Sequence, residues 1–305
     1  MAWILRKRIA LLIMPAMALI MPITSGKDDV RAYAADQKEH YLDASALAQF
    51  QPGLNINIQK AEITPDFTAK VTFRITDDGK TALDKDAAST PGIVTLNFVL
   101  SRINQGDRQY TAYTTRLQPN TTTGQLYLQA NRDVGGTYSS AGDGVYTYTF
   151  ATGIPSGYDP KATHTVGIYA TRDLAAFGLS LYVANAIFDW VPAGGPVVTV
   201  RDVVRTENCN MCHDPLAHHG ANARREVRLC VLCHNPGTTD AVTGLTADFK
   251  VLIHKIHRGA GLPSVQAGGT FKFSAEDFST VKFPRDIRDC EVCHQKGTQS
   301  ANNLT

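Results

Sequence analysis

One pattern constrains this chain more than any other: Cys-x-x-Cys-His, three times over, as Cys209-Asn-Met-Cys212-His213, Cys230-Val-Leu-Cys233-His234 and Cys290-Glu-Val-Cys293-His294. These motifs use all six Cys of the chain, and no Cys precedes Cys209. Two Cys three positions apart on a helical turn lie on neighbouring faces. Their thiols can form thioethers to the two vinyl groups on adjacent pyrrole rings of a porphyrin. The next residue then sits under the iron, and a His there supplies a nitrogen ligand. The expectation is three covalently bound haem c groups. Cys209, Cys212, Cys230, Cys233, Cys290 and Cys293 attach them, and His213, His234 and His294 are the proximal iron ligands.

Other readings of paired Cys fare worse. Cys209/Cys212 and Cys230/Cys233 are 17 residues apart, a spacing that also suits a four-Cys zinc ribbon. That ribbon leaves Cys290 and Cys293 over and gives no reason for a His after each pair. With nine His in 305 residues, a His at three given positions by chance is an event of about a few in 100,000. Disulfides and thioredoxin-type pairs fail on the same His, and no βαβ pattern surrounds them.

Each iron has a second axial position. Four His remain in the region: His218, His219, His254 and His257. In Val251-Leu-Ile-His254-Lys-Ile-His257 the two His share a helix face, suited to two haems packed close together. Of the adjacent pair, local geometry does not choose between His218 and His219. His40 and His164 read as surface or ordinary structural residues. Arg224, Arg225, Arg228, Lys255 and Arg258 suit haem propionates or a solvated basic surface equally well.

The rest of the chain has another texture. From about 50 to 200, apolar residues alternate with polar ones. Val71, Phe73 and Ile75 make one such set, Val94, Leu96, Phe98 and Leu100 another. Leu126 and Leu128, then Tyr146, Tyr148 and Phe150, then Val166, Ile168 and Ala170 follow, with Val198 and Val200 as a last strand. Turn signals such as Asp77-Asp78-Gly79 and Asp143-Gly144 separate them. The fold expected is an N-terminal all-β domain, a Greek-key barrel or sandwich, over residues 35–200. A mostly irregular or helical cytochrome domain over residues 201–305 follows, with Ala193-Gly194-Gly195-Pro196 as hinge. Periodic apolar residues are too few after Val203 for a conventional core, and porphyrins would fill the space. Arg6-Lys7-Arg8, the apolar stretch Ile9 to Ile23 and the small residues Thr24-Ser25-Gly26 or Ala32-Tyr33-Ala34 read as an export signal within residues 1–34, cleaved between 24 and 35. The formal net charge of +2 carries no nucleic-acid footprint.

Taken together, these residues resemble the outer-membrane multihaem cytochromes of the OmcA/MtrC type. The resemblance runs through Cys209-Asn-Met-Cys-His-Asp-Pro-Leu-Ala-His-His219-Gly and Cys230-Val-Leu-Cys-His-Asn-Pro-Gly237. It continues through Leu252-Ile-His-Lys-Ile-His-Arg-Gly259 and Phe283-Pro-Arg-Asp-Ile-Arg-Asp-Cys290, and upstream through Asp143-Gly-Val-Tyr-Thr-Tyr-Thr-Phe-Ala-Thr152. It covers roughly residues 60 to 295. It implies bis-His haems, an N-terminal Greek-key domain and delivery of respiratory electrons to extracellular acceptors, and it favours His219 over His218 as a distal ligand. Family members typically carry ten haems, so three motifs mark an N-terminal portion or a short relative. The family's lipid-anchoring Cys is missing.

The function expected is electron relay by an exported protein of the periplasm, outer membrane or cell surface. Its partners would be other multihaem cytochromes, a porin-cytochrome complex, and a metal oxide, soluble metal or flavin as acceptor. A haem reductase with one open iron and a zinc-stapled binding module are the alternatives.

Overall fold

The computed structural model describes residues 33–295 and 297–298. The export-signal reading therefore falls almost wholly outside the described residues. After a short helix α1 (Ala44–Phe50), the chain forms ten strands before Val191: β1 (Asn55–Ile63), β2 (Thr68–Thr76), β3 (Val94–Ile103), β4 (Thr111–Ala112), β5 (Thr115–Pro119), β6 (Leu126–Ala130), β7 (Thr137–Gly142), β8 (Val145–Gly153), β9 (Thr163–Asp173) and β10 (Leu181–Trp190). They build two four-stranded antiparallel sheets, ordered β1-β2-β8-β7 and β10-β9-β3-β4, and a β5-β6 ribbon. The alternating residues of β2 and β8 pair as Val71 with Tyr148 and Phe73 with Tyr146. Their side chains meet those of β3 and β9 in one core. Phe98 stacks on Tyr148 at 3.9 Å between ring centroids. Two separate sheets sharing a core make a sandwich.

The end of the sandwich differs from the expectation. Val198 and Val200 form no strand, and the last strand of the sandwich is β10. Its sequence hides it because both of its faces are covered. Tyr182, Ala184, Ala186 and Phe188 pack into the sandwich core, and Val183 and Ile187 pack outward. A strand buried on both sides loses the polar-apolar alternation. His164, on β9, is wholly buried. Its Nδ1 donates to the Ala162 carbonyl at 3.0 Å and its Nε2 accepts from the Tyr113 hydroxyl at 2.9 Å. Burial pushes its pKa down to about 4, so it stays neutral.

What covers the outer face of the second sheet is the Cys-rich segment. Helices α2 (Thr206–Cys209), α3 (Val227–Cys233) and α4 (Phe249–Arg258) lie in it. Val227, Leu229, Val231 and Leu232 of α3 join Val99, Ile103 and Tyr169 in a second apolar cluster. The connection at Ala193–Pro196 thus joins two parts that already share a packed face. Gly167 makes the close approach possible: a Cβ there would lie 2.7 Å from Leu229 Cδ1 and from Leu232 Cδ1. Gly167→Val should lift α3 from the sheet at a cost of about 1–3 kcal/mol, as overpacked cores show. Denaturant unfolding of the holoprotein checks this, and an unchanged midpoint would show that the contact is slack.

Candidate functional site

All three motifs adopt the same local structure. The His N–H donates to the carbonyl of the first Cys at 2.9 Å (His213 to Cys209), 2.8 Å (His234 to Cys230) and 2.9 Å (His294 to Cys290). The first motif starts at the last residue of α2 and continues as a turn, the second lies in α3, and the third is a 3-10 turn over Cys290–Val292. Each is thus one helical turn with its two thiols on neighbouring faces. None of the six Cys is in a disulfide.

Each motif His faces one other His. Ring centroids are 6.2 Å apart for His213 and His257, 5.8 Å for His219 and His234, and 6.0 Å for His254 and His294. Two imidazoles bound to one metal through bonds of about 2 Å have centroids about 6 Å apart. The ring planes are inclined at 74°, 29° and 13° in the same order. His218 instead approaches the Glu276 carboxylate at 3.7 Å. Geometry thus separates the two adjacent His that local sequence leaves equivalent.

The ring nitrogens are arranged to match. Nδ1 of His234 donates to the Ala247 carbonyl at 3.1 Å, that of His257 to Ile253 at 2.9 Å and that of His254 to Lys250. His294 is held by the Val203 backbone. In α4 both partners are the carbonyls one turn back, so helix geometry orients His254 and His257 alike. With Nδ1 carrying the proton, Nε2 keeps its lone pair for a metal. Burial keeps His234 and His294 neutral by lowering their pKa. It raises the thiols of Cys209 and Cys233 to about 11 and that of Cys230 to about 12, which leaves them protonated at neutral pH.

The surroundings fit a large apolar group. Between Leu262 and His294, Phe271 is the sole buried hydrophobic side chain. A segment that long has no core of its own making. Among the described residues no three His, Cys, Asp or Glu converge as a metal-binding group, whereas a zinc ribbon needs four ligands together. The first and third motifs lie side by side, with Asn208 Nδ2 3.5 Å from the Val292 carbonyl, and α4 presents His257 to one and His254 to the other. Of the basic residues, Arg228 pairs with Asp189, Arg225 Nε donates to the Asn222 carbonyl, and Lys255 lies over the Phe271 ring. Arg258 donates to the Gly261 carbonyl, and Arg224 stacks on Tyr169.

Some supporting residues carry no sequence signal. Ser101 Oγ, from β3, donates to the Leu232 carbonyl inside the second motif at 3.1 Å. Asn185, on β10, donates to the Ala223 carbonyl and accepts from the Arg225 N–H, both at 2.7 Å. A lone Ser or Asn on a strand looks like any surface residue until the opposing backbone is known.

A β-sandwich bearing three Cys-x-x-Cys-His turns, each with a facing His, defines a multihaem c-type cytochrome. Comparison with known proteins narrows the class. Residues 201–305 match the family model for outer membrane cytochrome MtrC/MtrF-like, domains II/IV. The multiheme cytochrome MtrC of Shewanella baltica (strain OS185) is 31% identical over 139 residues, which is 43% of this chain and 21% of that protein. The crystal structure of the outer membrane decaheme cytochrome OmcA has the same fold, with a TM-score of 0.65 and 24% identity over 82% of this chain and 41% of that one. The MtrC crystal structure from Shewanella baltica OS185 aligns at a TM-score of 0.47 and 24% identity, over 67% of this chain and 32% of that one. These likenesses support a fragment of the OmcA/MtrC type, carried by the family match over residues 201–305. The chain spans about a fifth of the MtrC relative's length and about two fifths of the OmcA chain.

Asn185→Ala removes two hydrogen bonds that fix the backbone on either side of Arg224. A buried unpaired backbone group costs about 1–3 kcal/mol. Amide exchange over residues 218–225 should speed up while β9 stays protected, and an unaltered exchange pattern would show that Asn185 does not hold this loop.

Proposed function

We propose that this chain holds three haem c groups, each between two imidazoles, and passes single electrons along them. Cys209 and Cys212 with His213 and His257 hold the first. Cys230 and Cys233 with His234 and His219 hold the second, and Cys290 and Cys293 with His294 and His254 the third. When bound, such a group would supply one-electron chemistry at its iron. The observation that carries the reading is that each motif His faces a second His at about the span of one shared metal. No motif His lacks a facing partner, so nothing favours a substrate-binding iron.

The protein's part is placement. Helix α4 carries His254 and His257 one turn apart and so keeps the first and third sites together. Helix α3 and the sandwich keep the second site beside them. Tunnelling decays exponentially with distance, so this spacing favours transfer among the three. By likeness to the family, we place the protein outside the cytoplasm, at the outer membrane or cell surface. It would receive electrons from another multihaem cytochrome, in or near a porin-cytochrome complex, and deliver them to a metal oxide, soluble metal or flavin. Among the described residues no helix is long and apolar enough to cross a membrane.

Haem counting tests the proposal. The mature protein should stain for haem after denaturation and give three haems per chain as the pyridine haemochrome, and Cys290→Ala with Cys293→Ala should give two. A colourless denatured band holding stoichiometric zinc would contradict it.

A further inference from the structure

One buried hydrogen bond joins two groups that the relay does not use. Tyr113, between β4 and β5, is 8% exposed, and His164 of β9 is wholly buried. The Tyr113 hydroxyl donates to His164 Nε2 at 2.9 Å, while Nδ1 keeps its own proton on the Ala162 carbonyl. The two rings are stacked, 5.6 Å apart at their centroids and inclined at 16°. Arg102 lies over the same phenol, with Cζ 4.5 Å from the ring centroid. A phenol O–H aimed at a neutral imidazole, away from water, can lose an electron and a proton together. Tyr110 and Tyr169, in the cluster with α3, lack such a base: the Tyr110 hydroxyl accepts from Thr165 and the Tyr169 hydroxyl from Arg224. Tyr113 is also connected to the second motif. Its backbone N–H donates to the Leu100 carbonyl at 2.8 Å. Ser101 follows Leu100, and its Oγ donates to the Leu232 carbonyl at 3.1 Å. Cys233 is the next residue. Two hydrogen bonds and a short covalent path thus join the phenol to a haem-attachment Cys.

We propose that Tyr113 and His164 form a redox-active pair that gives one electron to an oxygen-derived radical and is refilled from the second haem site. The proposal rests on the three-haem reading above. In the forward step the Tyr113 O–H bond breaks. The electron goes to the radical, so that a hydroxyl radical becomes hydroxide. The proton crosses to His164 Nε2, leaving a neutral phenoxyl beside an imidazolium whose Nδ1 stays bonded to Ala162. Arg102 couples the two transfers. Its charge over the ring opposes an electron loss that leaves the ring positive, so the proton departs with the electron. Arg102 also opposes the imidazolium, and Asp159 favours it. Tyr158, edge-on to His164 at 5.6 Å, and the uncharged Trp190, 5.5 Å away, complete its surroundings. Burial makes His164 a weak base, with a pKa of about 4, yet an oxidised phenol is a far stronger acid than that imidazolium. In the return step one electron from the second site reaches the phenoxyl, His164 gives the proton back and the O–H bond re-forms. The net change is one radical reduced by one relay electron, with the sandwich restored.

The probe is flash oxidation of the holoprotein by a ruthenium polypyridyl complex, trapped by freezing and read by electron paramagnetic resonance. At about pH 6, where His164 is neutral, the ferric wild type should show a tyrosyl radical whose splitting collapses when tyrosine is ring-deuterated. Tyr113→Phe should abolish that signal. His164→Gln still accepts from the hydroxyl but takes up no proton, so radical formation should slow by about 100-fold. In the ferrous holoprotein the radical should decay faster than in the ferric one. Ser101→Ala, which removes the contact with Leu232, should slow that decay and leave radical formation unchanged. If His164→Gln does not accumulate, Tyr113→Phe and Ser101→Ala decide. A signal undiminished in Tyr113→Phe, or one that collapses on deuterating tryptophan instead, overturns the pair. A decay that ferrous iron does not hasten, or that Ser101→Ala does not slow, overturns the refilling from the second site. A red, three-haem wild type without a tyrosyl radical overturns the proposal and leaves the relay intact, whereas a colourless wild type overturns both.

Discussion

Everything at the candidate site hangs on the outer face of one sheet. Helix α3 lies on β9 where Gly167 leaves no side chain in the way, and Leu229 and Leu232 occupy that space. The second Cys-x-x-Cys-His motif is part of that helix, so packing the helix places the motif. Ser101 on the Leu232 carbonyl and Asn185 on the loop before α3 fix the remaining freedom with hydrogen bonds to backbone. The Cys-rich segment has few apolar side chains, and this sheet supplies the apolar surface on which α3 packs. The other two sites are built outward from it, with α4 bridging them.

This dependence explains which parts of the fold were legible in the sequence. Strands with one face in the core, such as β2 with Val71, Phe73 and Ile75, kept their alternation and stood out. Strand β10 did not, because Val183 and Ile187 serve the Cys-rich segment while Ala184 and Phe188 serve the sandwich. Val198 and Val200 showed the period of a strand without one forming. Two such residues are too short a sample of a period. The polar contacts across the interface were invisible for a different reason: a hydrogen bond to a distant backbone carbonyl requires no particular neighbour in the sequence.

The site itself was more legible than its support. A covalent motif fixes residue types at fixed spacing, so the six Cys and the three following His declared themselves. The i, i+3 pair His254 and His257 followed from helix periodicity. Which ring faces which depended on tertiary structure, and so did the division of labour between His219, turned to His234, and His218, turned to Glu276. The backbone carbonyls of Ala247, Lys250 and Ile253 complete the arrangement by taking the Nδ1 protons. That leaves the opposite nitrogens for metal, which is the chemical requirement for ligation.

The central claim is that three imidazole pairs each share one iron. Electron paramagnetic resonance of the fully oxidised protein tests it most directly, because low-spin ferric haem reports the mutual inclination of its two axial rings. The inclinations of 13° and 29° should give two rhombic signals, and the inclination of 74° should give one signal with a large maximum g value. A high-spin ferric signal of stoichiometric intensity would contradict the account, because at least one iron would then lack its second imidazole.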